Sequence, residues 1–432
     1  MKTNKRNQRF KFVDLFAGCG GLSLGLELSG FDPIFVNELN ADALETYLVN
    51  RDLDHPLLRS KYHIADVKNL IANNGKRLQQ LIKEIKTDYQ IDIQKNELDL
   101  LVGGPPCQGF SGMGHRRSYA VNKNEIPSNH LYKDMAYVIS KMKPKIFLFE
   151  NVKGLMTARW TMDGEPGEIW EDVKRTFSNI KVDGKKGYQV HPELVYSKNY
   201  GVPQNRPRVL LVGIRNDLSF TPNKSIFANG FLPSPKNEFI NLKDLLGDLA
   251  DPNYENGGET FAYSCNPQND IQTWLRTNAF TGYFAGKGAP LTEQKYSNHR
   301  IDISEKFKFM QKNNGKIPEG MKTKKFSQKL LPSVWTSKGP TITATSMPDD
   351  FVHYDQPRTL TVREWARLQT FPDWYKFSGS RTTGGIRRAG NPRMGLFQRE
   401  VPKYTQIGNA VPVALGARIG QHFSSILLAN DA

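Results

Sequence analysis

The first half of the chain alternates short apolar runs with stretches of helical spacing, and this alternation constrains the fold more than any other feature. Strand-like runs occur at residues 12–16, 33–36, 98–102, 146–150 and 209–214, and helical spacing occurs at 22–28 and 41–48. Strands that alternate with helices favour an α/β domain built on a mainly parallel sheet. Ligands bind such sheets at the carboxyl ends of the strands, so the residues after each run are the first site candidates.

The second half of the chain differs from the first in composition and in hydrophobic pattern. Residues 216–345 are richer in Asn, Lys, Gly and aromatic residues, and no strand–helix alternation is visible there. This pattern predicts a second, irregular domain. Residues 411–428 have the spacing of a C-terminal helix, which we expect to pack back on the first domain.

The chain carries a strong positive charge. Its 432 residues include 59 Lys and Arg against 43 Asp and Glu, which gives a formal net charge of +16. Such a surface attracts polyanions, with nucleic acid ahead of an acidic membrane, although charge alone does not decide between them. Residues 1–11 are basic and polar with no apolar run behind them, and no stretch is long enough to span a bilayer. We therefore expect no signal peptide and no membrane association.

The cysteines are few. Cys19, Cys107 and Cys265 form no CxxC pair, so neither a disulfide framework nor a zinc or other metal site is expected. A reducing, cytoplasmic setting fits this usage best.

A glycine-rich turn follows the first strand-like run. Residues 14–21, DLFAGCGG, would let a ligand approach backbone N–H groups at a helix N-terminus, although a plain strand–turn–helix has the same pattern. Ser23 stands where a dinucleotide-binding GxGxxG motif has its third glycine. Further on, Glu38 could accept hydrogen bonds from ribose hydroxyls, and Asp66 could accept one from an adenine amine, although each could equally be a surface group.

A more specific block lies at residues 103–111, GGPPCQGFS. Two prolines fix the backbone before Cys107, and glycines on both sides give that residue room and mobility. A cysteine at a strand end, beside helix N-termini and basic groups, ionises more readily and acts as a nucleophile. This interpretation is favoured over an inert buried cysteine. Two further blocks, ENV at 150–152 and QNRPR at 204–208, offer a carboxylate and its arginine partners.

Together these blocks resemble the DNA (cytosine-5) methyltransferases that partner bacterial restriction enzymes. Six of them stand in the family's order, and C-terminal blocks at 358–369 and 408–412 follow, so that the resemblance spans residues 12 to about 420. It implies a doubly wound, Rossmann-like domain that binds S-adenosyl-L-methionine (AdoMet), at residues 1–217 plus 402–432. Residues 218–401 would form a smaller, irregular target-recognition domain, with double-stranded DNA in the cleft between the two.

The resemblance also implies a chemistry. Cys107 would add to C6 of a flipped-out cytosine, after which C5 accepts the methyl group from AdoMet. Glu150 would act at N3 and Arg208 at O2, while Arg206 supports the same pocket. Residues 108–129 would form a mobile lid, with an ordinary surface loop as the alternative. A monomer that works beside a cognate restriction endonuclease is expected.

Further residues are assigned to ligands by the resemblance alone. Phe16 would stack on adenine, Gly18 and Gly20 would lie near the methionine moiety, and Glu38 and Asp66 would hold the ribose and the adenine amine. Leu131 and Asn409 would lie near the same cofactor, and Ala410 replaces a serine that is common in the family. The expected DNA contacts are Ser111, Arg116, Arg117, Arg387 and Arg388. Arg387 and Arg388 belong to a basic insertion at 384–393 that departs from the family pattern and could equally be a surface loop with no role in binding.

Three other functions compete with this interpretation. Some relatives with the same motifs methylate tRNA, but their Cys-Phe-Thr signature is missing because Asn266 follows Cys265. Cys107, Glu150 and Arg208 disfavour a catalytically silent DNA-binding protein. The proline–cysteine block and the missing third glycine exclude a nicotinamide oxidoreductase. The DNA sequence that is recognised depends on side-chain geometry in the groove and does not follow from these patterns.

Overall fold

The computed structural model describes residues 9–106, 127–161, 163–219, 230–236, 238–322, 328–336, 339–343, 350–383 and 400–430. In these ranges the strands are β1 (Phe10–Leu15), β2 (Phe31–Asn37), β3 (His63–Ile64), β4 (Leu100–Gly103), β5 (Ile146–Val152), β6 (Lys181–Val182), β7 (Lys185–Lys186), β8 (Tyr188–Tyr196), β9 (Pro207–Arg215), β10 (Lys329–Leu330) and β11 (Phe351–Val352). The helices are α1 (Gly21–Glu27), α2 (Ala41–Val49), α3 (Pro56–Ser60), α4 (Val67–Tyr89), α5 (Leu131–Met142), α6 (Glu168–Ser178), α7 (Leu242–Leu246), α8 (Asp270–Arg276), α9 (Ile301–Lys312), α10 (Val362–Leu368), α11 (Lys403–Asn409) and α12 (Val413–Leu428).

Within the described ranges, a central sheet of seven strands has the order β3-β2-β1-β4-β5-β9-β8. Strands β1 to β5 pair in parallel, and β9 and β8 add an antiparallel edge. The predicted α/β class and mainly parallel sheet are confirmed. The five strand-like runs correspond to β1, β2, β4, β5 and β9, and the two helical stretches correspond to α1 and α2. Strand β8 and helices α5 and α6 were not predicted from the sequence.

Helices cover both faces of the sheet because successive strand residues point to opposite sides. In β5, Phe147 and Phe149 belong to the core cluster under α2, α4, α5 and α6. Their neighbours Ile146 and Leu148 belong to the cluster under α1 and α12. Local capping helps to place these helices: Ala43 N donates to Asn40 Oδ1 at 3.0 Å at the start of α2. The structure is therefore doubly wound, with every central strand buried on both faces.

Helix α12 returns to the first helix of the chain, as predicted. Leu415, Ile419 and Phe423 share a core cluster with Leu22 and Leu26 of α1. The two helices approach until their backbones touch, and this approach is possible because Gly25 and Gly416 lie at the crossing.

The part of the chain between β9 and α11 is built mainly from short helices and irregular segments. Helices α7, α8 and α9 lie inside residues 216–345, so this stretch contains more helix than the sequence predicted. Its core includes Leu245, Leu275 and Trp365, and it is continuous with Leu24 of α1. The boundaries at 217 and 402 therefore remain predictions. Among the helices of the described ranges, none is long and apolar enough to cross a membrane.

We expect Gly25→Ala to lower the free energy of unfolding by about 1–3 kcal/mol, because overpacked cores shift at that cost. A β-carbon at Gly25 would lie 2.5 Å from both Val413 O and Ala417 N, so the helices would have to move apart. Urea denaturation measures the change. Gly320→Ala is the matched control, since a β-carbon there meets nothing within 4 Å. Equal stability of the two variants would contradict the close approach of α1 and α12.

Candidate active site

The register of the parallel strands brings separate sequence blocks to one edge of the sheet. Ile64 pairs with Asn37, Asn37 with Leu15, Leu15 with Gly103, and Gly103 with Phe149. The residues directly after these positions are Ala65, Glu38, Phe16, Gly104 and Glu150. Backbone pairing alone therefore aligns the predicted cofactor residues with the predicted catalytic carboxylate.

The glycine turn after β1 is held in an unusual backbone conformation. Phe16 has φ 59° and Gly18 has φ 58°, a region that side-chain-bearing residues rarely adopt unless their surroundings fix them. Phe16 N donates to Asn37 Oδ1 at 3.2 Å, and Gly18 N donates to Glu38 Oε2 at 2.8 Å. A β-carbon at Gly18 would meet nothing within 4 Å. The turn therefore has an open side, where a ligand can approach its backbone.

Glu38 sits between this turn and the start of α2. Its other oxygen accepts from Asn40 N at 2.8 Å. Burial raises the pKa of Glu38, and the backbone N–H groups of Asn40 and Gly18 oppose that shift. Each carboxylate oxygen has two lone pairs, so both oxygens keep the capacity to accept a hydroxyl proton.

Gly20 has a different reason to be glycine. Its φ is 83°, and a β-carbon there would lie 2.8 Å from the Tyr375 hydroxyl and 2.9 Å from Tyr47 Cδ2. Behind it, Asp14 accepts from Ser23 Oγ, which lies 3.0 Å from the Tyr47 hydroxyl. Burial raises the pKa of Asp14 to about 7. The inner side of the turn is therefore packed against protein, and Gly20 is required by that packing.

The remaining predicted cofactor residues flank the same edge. Asp66 caps α4, where its Oδ1 accepts from Lys68 N at 2.9 Å, and it is half-buried. Leu131 is the first residue of α5 and is half-buried, whereas Asn409 is the last residue of α11 and is exposed. Their contacts with a cofactor stay predictions.

Glu150 and Arg208 form an ion pair at the end of β5. Arg208 Nε lies 2.7 Å from Glu150 Oε1, and the side chains are 9% and 12% exposed. A β-carbon at Gly104 would lie 3.0 Å from Glu150 Oε2, and Pro105 O accepts from Asn151 Nδ2 at 3.0 Å. The backbone that leaves β4 therefore runs beside this carboxylate just before residue 107.

Arg206 is bound differently from Arg208. Its side chain is fully buried, and its Nη2 donates to the backbone oxygens of Gly408, Asn409 and Ala410 at 2.8, 3.2 and 3.0 Å. Its Nη1 donates to Ile342 O. Burial lowers the pKa of Arg206, and the nearby Arg208 adds to that effect. Arg206 thus connects the strand that carries Arg208 to two distant segments, and it would support the pocket through them.

Several predicted residues lie outside the described ranges. They are Cys107, Ser111, Arg116, Arg117, Arg387 and Arg388. Most of the predicted lid at 108–129 lies outside them as well. Conversely, sequence reasoning missed Arg51 and Tyr375 behind the glycine turn, which are 324 residues apart in the chain and 3.2 Å apart in space. No local spacing signals such a pair.

We expect Arg206→Lys to lower the free energy of unfolding by about 2–4 kcal/mol, because a lysine cannot donate to four separated carbonyls and leaves some of them unpaired. Arg59→Lys is the control: Arg59 contacts Glu45 and Asp52 and is 40% exposed. Exposed pairs contribute about 0–1 kcal/mol. Urea denaturation compares the two variants. Similar losses would show that Arg206 does not join the three segments.

Comparisons with known proteins agree with this geometry. A family model described as C-5 cytosine-specific DNA methylase matches residues 10–425. The type II methyltransferase M.DdeI of Desulfomicrobium norvegicum is 29% identical over 97% of this chain and 91% of its own length. The type II methyltransferase M.PspPI of a Psychrobacter species is 30% identical over 96% of this chain and 79% of its own length.

Solved structures share the fold. A structure described as a DNA modification methyltransferase of an E. coli prophage has a TM-score of 0.63 at 23% identity, and the match covers 97% of this chain and 99% of that one. The S. pombe Dnmt2 methyltransferase has a TM-score of 0.51 at 15% identity, and the match covers 98% and 100% of the two chains. Enzymes of the matched family use AdoMet as their methyl donor. The chain belongs to the family of C-5 cytosine-specific DNA methylases.

Proposed function

We propose that this protein is a sequence-specific DNA methyltransferase that methylates C5 of a flipped-out cytosine through a covalent adduct with Cys107. The observation that carries the proposal is the Glu150–Arg208 ion pair, at 2.7 Å, beside the backbone that leads from β4 to residue 107. A nucleophile, an acid and a cation would then meet at the carboxyl edge of the sheet, where α/β proteins bind their ligands.

The pair suits the charge that develops during the reaction. When the Cys107 thiolate bonds to C6, electron density moves toward N3 and O2 of the base. Glu150 must hold or share a proton to stabilise N3, and Arg208 supplies positive charge near O2. Arg208 also fixes Oε1 of Glu150, so Oε2, the oxygen on the Gly104 side, is the one offered to the base. Once C5 has bonded to the methyl group, loss of the C5 proton and cleavage of the sulfur–C6 bond would restore the aromatic ring.

The residues around the glycine turn fit AdoMet. When bound, AdoMet supplies the methyl group from its sulfonium. The open side of Gly18 leaves room for it, and Glu38 retains lone pairs for ribose hydroxyls. Phe16 is half-buried and can offer one ring face to adenine. We assign Asp66, Leu131 and Asn409 to the same site, together with the approach of Gly20 to the methionine moiety.

DNA would lie between a catalytic domain at 1–217 plus 402–432 and a recognition domain at 218–401. The net charge of +16 supports a polyanionic partner, and Ser111, Arg116, Arg117, Arg387 and Arg388 are the proposed contacts. The named relatives are type II methyltransferases, which supports a role in protecting DNA from a cognate restriction endonuclease. We propose that the enzyme acts as a monomer in the cytoplasm, where such a partner would work.

Bisulfite sequencing of plasmid DNA from cells that express the chain tests this function directly. We expect one short sequence to be protected at a single cytosine, and Cys107→Ser to abolish that protection because the nucleophile is lost. Cys265→Ser is the control and should methylate normally. Bisulfite sequencing of tRNA from the same cells tests the alternative substrate. Methylated tRNA with unmodified plasmid would overturn the proposal.

A covalent trap tests the adduct separately from turnover. An oligonucleotide with 5-fluorocytosine at the target should form a complex with the wild-type protein that survives denaturation, since fluorine cannot leave C5 as a proton does. AdoMet must be present for the trap to close. Absence of this complex in a protein that still methylates DNA would rule out attack by Cys107.

We expect Glu150→Gln to slow methyl transfer by roughly 10²–10⁴-fold, the usual contribution of a general acid or base, with little change in DNA affinity. The glutamine can still accept a hydrogen bond from Arg208, so the pocket should keep its shape. Single-turnover transfer of a radiolabelled methyl group measures the rate. Glu45→Gln, at an exposed glutamate paired with Arg59, is the control. Wild-type turnover in Glu150→Gln would remove this residue from the mechanism.

A further inference from the structure

The inner side of the glycine turn is closed by a tyrosine from the distant C-terminal part of the chain. Tyr375 is fully buried, and its hydroxyl donates to Cys19 O at 2.6 Å. Cys19 stands between Gly18 and Gly20. The same hydroxyl accepts from Arg51 Nη1 at 3.2 Å. A side chain 356 residues away therefore holds the central peptide of the turn.

Arg51 is itself held by an ion pair, a backbone hydrogen bond and an aromatic ring. Glu27 binds it twice, at 3.1 Å to Nε and 2.5 Å to Nη2, and both side chains are buried. Arg51 Nη1 also donates to Tyr47 O at 2.8 Å, and the guanidinium stacks over the Tyr47 ring at 3.8 Å. Since Arg51 cannot move, the Tyr375 hydroxyl is held at a defined point behind Cys19.

Hydrogen bonds and packing together set the position of this peptide. Cys19 is fully buried in the same core cluster as Leu24 and Tyr375, so the tyrosine hydroxyl acts inside a packed interior. Phe16 has a positive φ, a conformation that a residue with a side chain keeps only where the surroundings over-determine it, whereas Gly18 and Gly20 adopt positive φ at little cost.

The segment that carries Tyr375 is anchored on two sides. Toward the sheet, Lys376 exchanges backbone hydrogen bonds with the Asn50 side chain, both at 2.9 Å, and Ser378 N donates to Thr46 Oγ1 at 2.8 Å. Toward the second half of the chain, Asp373 pairs with Arg367 at 2.5 Å and accepts from the Tyr263 hydroxyl at 2.6 Å. The segment thus connects helix α2, which follows the strand next to the glycine turn, to the core between β9 and α11.

We propose that Tyr375 is a positioning residue for AdoMet, which fixes the Cys19 peptide so that the turn keeps its ligand-binding shape. The inference rests on the proposed cofactor site around Gly18 and Glu38. It also links that site physically to the part of the chain assigned to DNA recognition. Tyr375 is buried behind the turn and bonds its backbone, so we expect its effect in cofactor affinity and not in the chemical step.

Tyr375→Phe removes one hydroxyl and keeps the ring. We expect its dissociation constant for AdoMet, measured by calorimetry, to rise about three- to tenfold, which corresponds to one net hydrogen bond. The single-turnover rate at saturating AdoMet should stay within about twofold, because the catalytic groups are untouched. The KM for DNA should not change. Arg51→Lys keeps the charge opposite Glu27 but loses the bond to Tyr375, so it should weaken AdoMet binding as well.

Tyr188→Phe is the matched control. Tyr188 is also fully buried, and its hydroxyl donates to a backbone oxygen, Pro144 O, at 2.9 Å. Its stability loss should equal that of Tyr375→Phe, with AdoMet affinity unchanged. Unchanged AdoMet affinity in Tyr375→Phe, or an equal loss of AdoMet affinity in both phenylalanine variants, would overturn the positioning role alone. A wild-type protein that binds no AdoMet would instead overturn the proposed function, and this inference with it.

Discussion

The buried guanidinium of Arg206 is the contact on which the arrangement of the molecule depends. A buried charge is costly unless its donors find acceptors, and here four backbone oxygens from two distant segments accept from the two terminal nitrogens of Arg206, while its Nε has no partner within the described residues. Gly408 and Asn409 end α11, and Ala410 caps it, so these oxygens are among those that a helix leaves unpaired at its C-terminus. The dipole of the helix also favours a cation at that end. Arg206 therefore caps α11 and attaches it to the start of β9.

Two glutamines extend this contact into a buried polar network. Gln204 donates to Leu368 O at 2.6 Å and to Gln369 Oε1 at 2.8 Å, and it accepts from Ile342 N at 3.0 Å. Gln369 in turn donates to Ile407 O at 2.7 Å. Each of these bonds has a direction and a length, so the network accepts one arrangement of its segments, whereas an apolar contact would tolerate several. The strand that bears Arg208 is thereby held in one position relative to the C-terminal block.

Much of the fold followed from local patterns, whereas the roles of the site residues stay predictions that rest on motif order. The apolar runs predicted five strands correctly because each strand is buried on both faces. Strand β8 was not predicted from the sequence, because it lies at the sheet edge, includes Pro192 and is only half-buried along most of its length. The ion pair of Glu150 with Arg208 agrees with the pairing that the ENV and QNRPR blocks suggested. The partners of Arg206 and Tyr375 could not be predicted, since they are backbone oxygens hundreds of residues away, and no side-chain pattern marks a carbonyl group.

The return of α12 to α1 has a consequence for biosynthesis. The apolar face of Leu22 and Leu26 is synthesised long before Leu415, Ile419 and Phe423, the residues that cover it. Domains usually fold as units during synthesis, in order from the N-terminus. Here one face of the nascent sheet stays uncovered while the residues between β9 and α11 are synthesised. Chains truncated before α12 would leave that face exposed to proteases and chaperones.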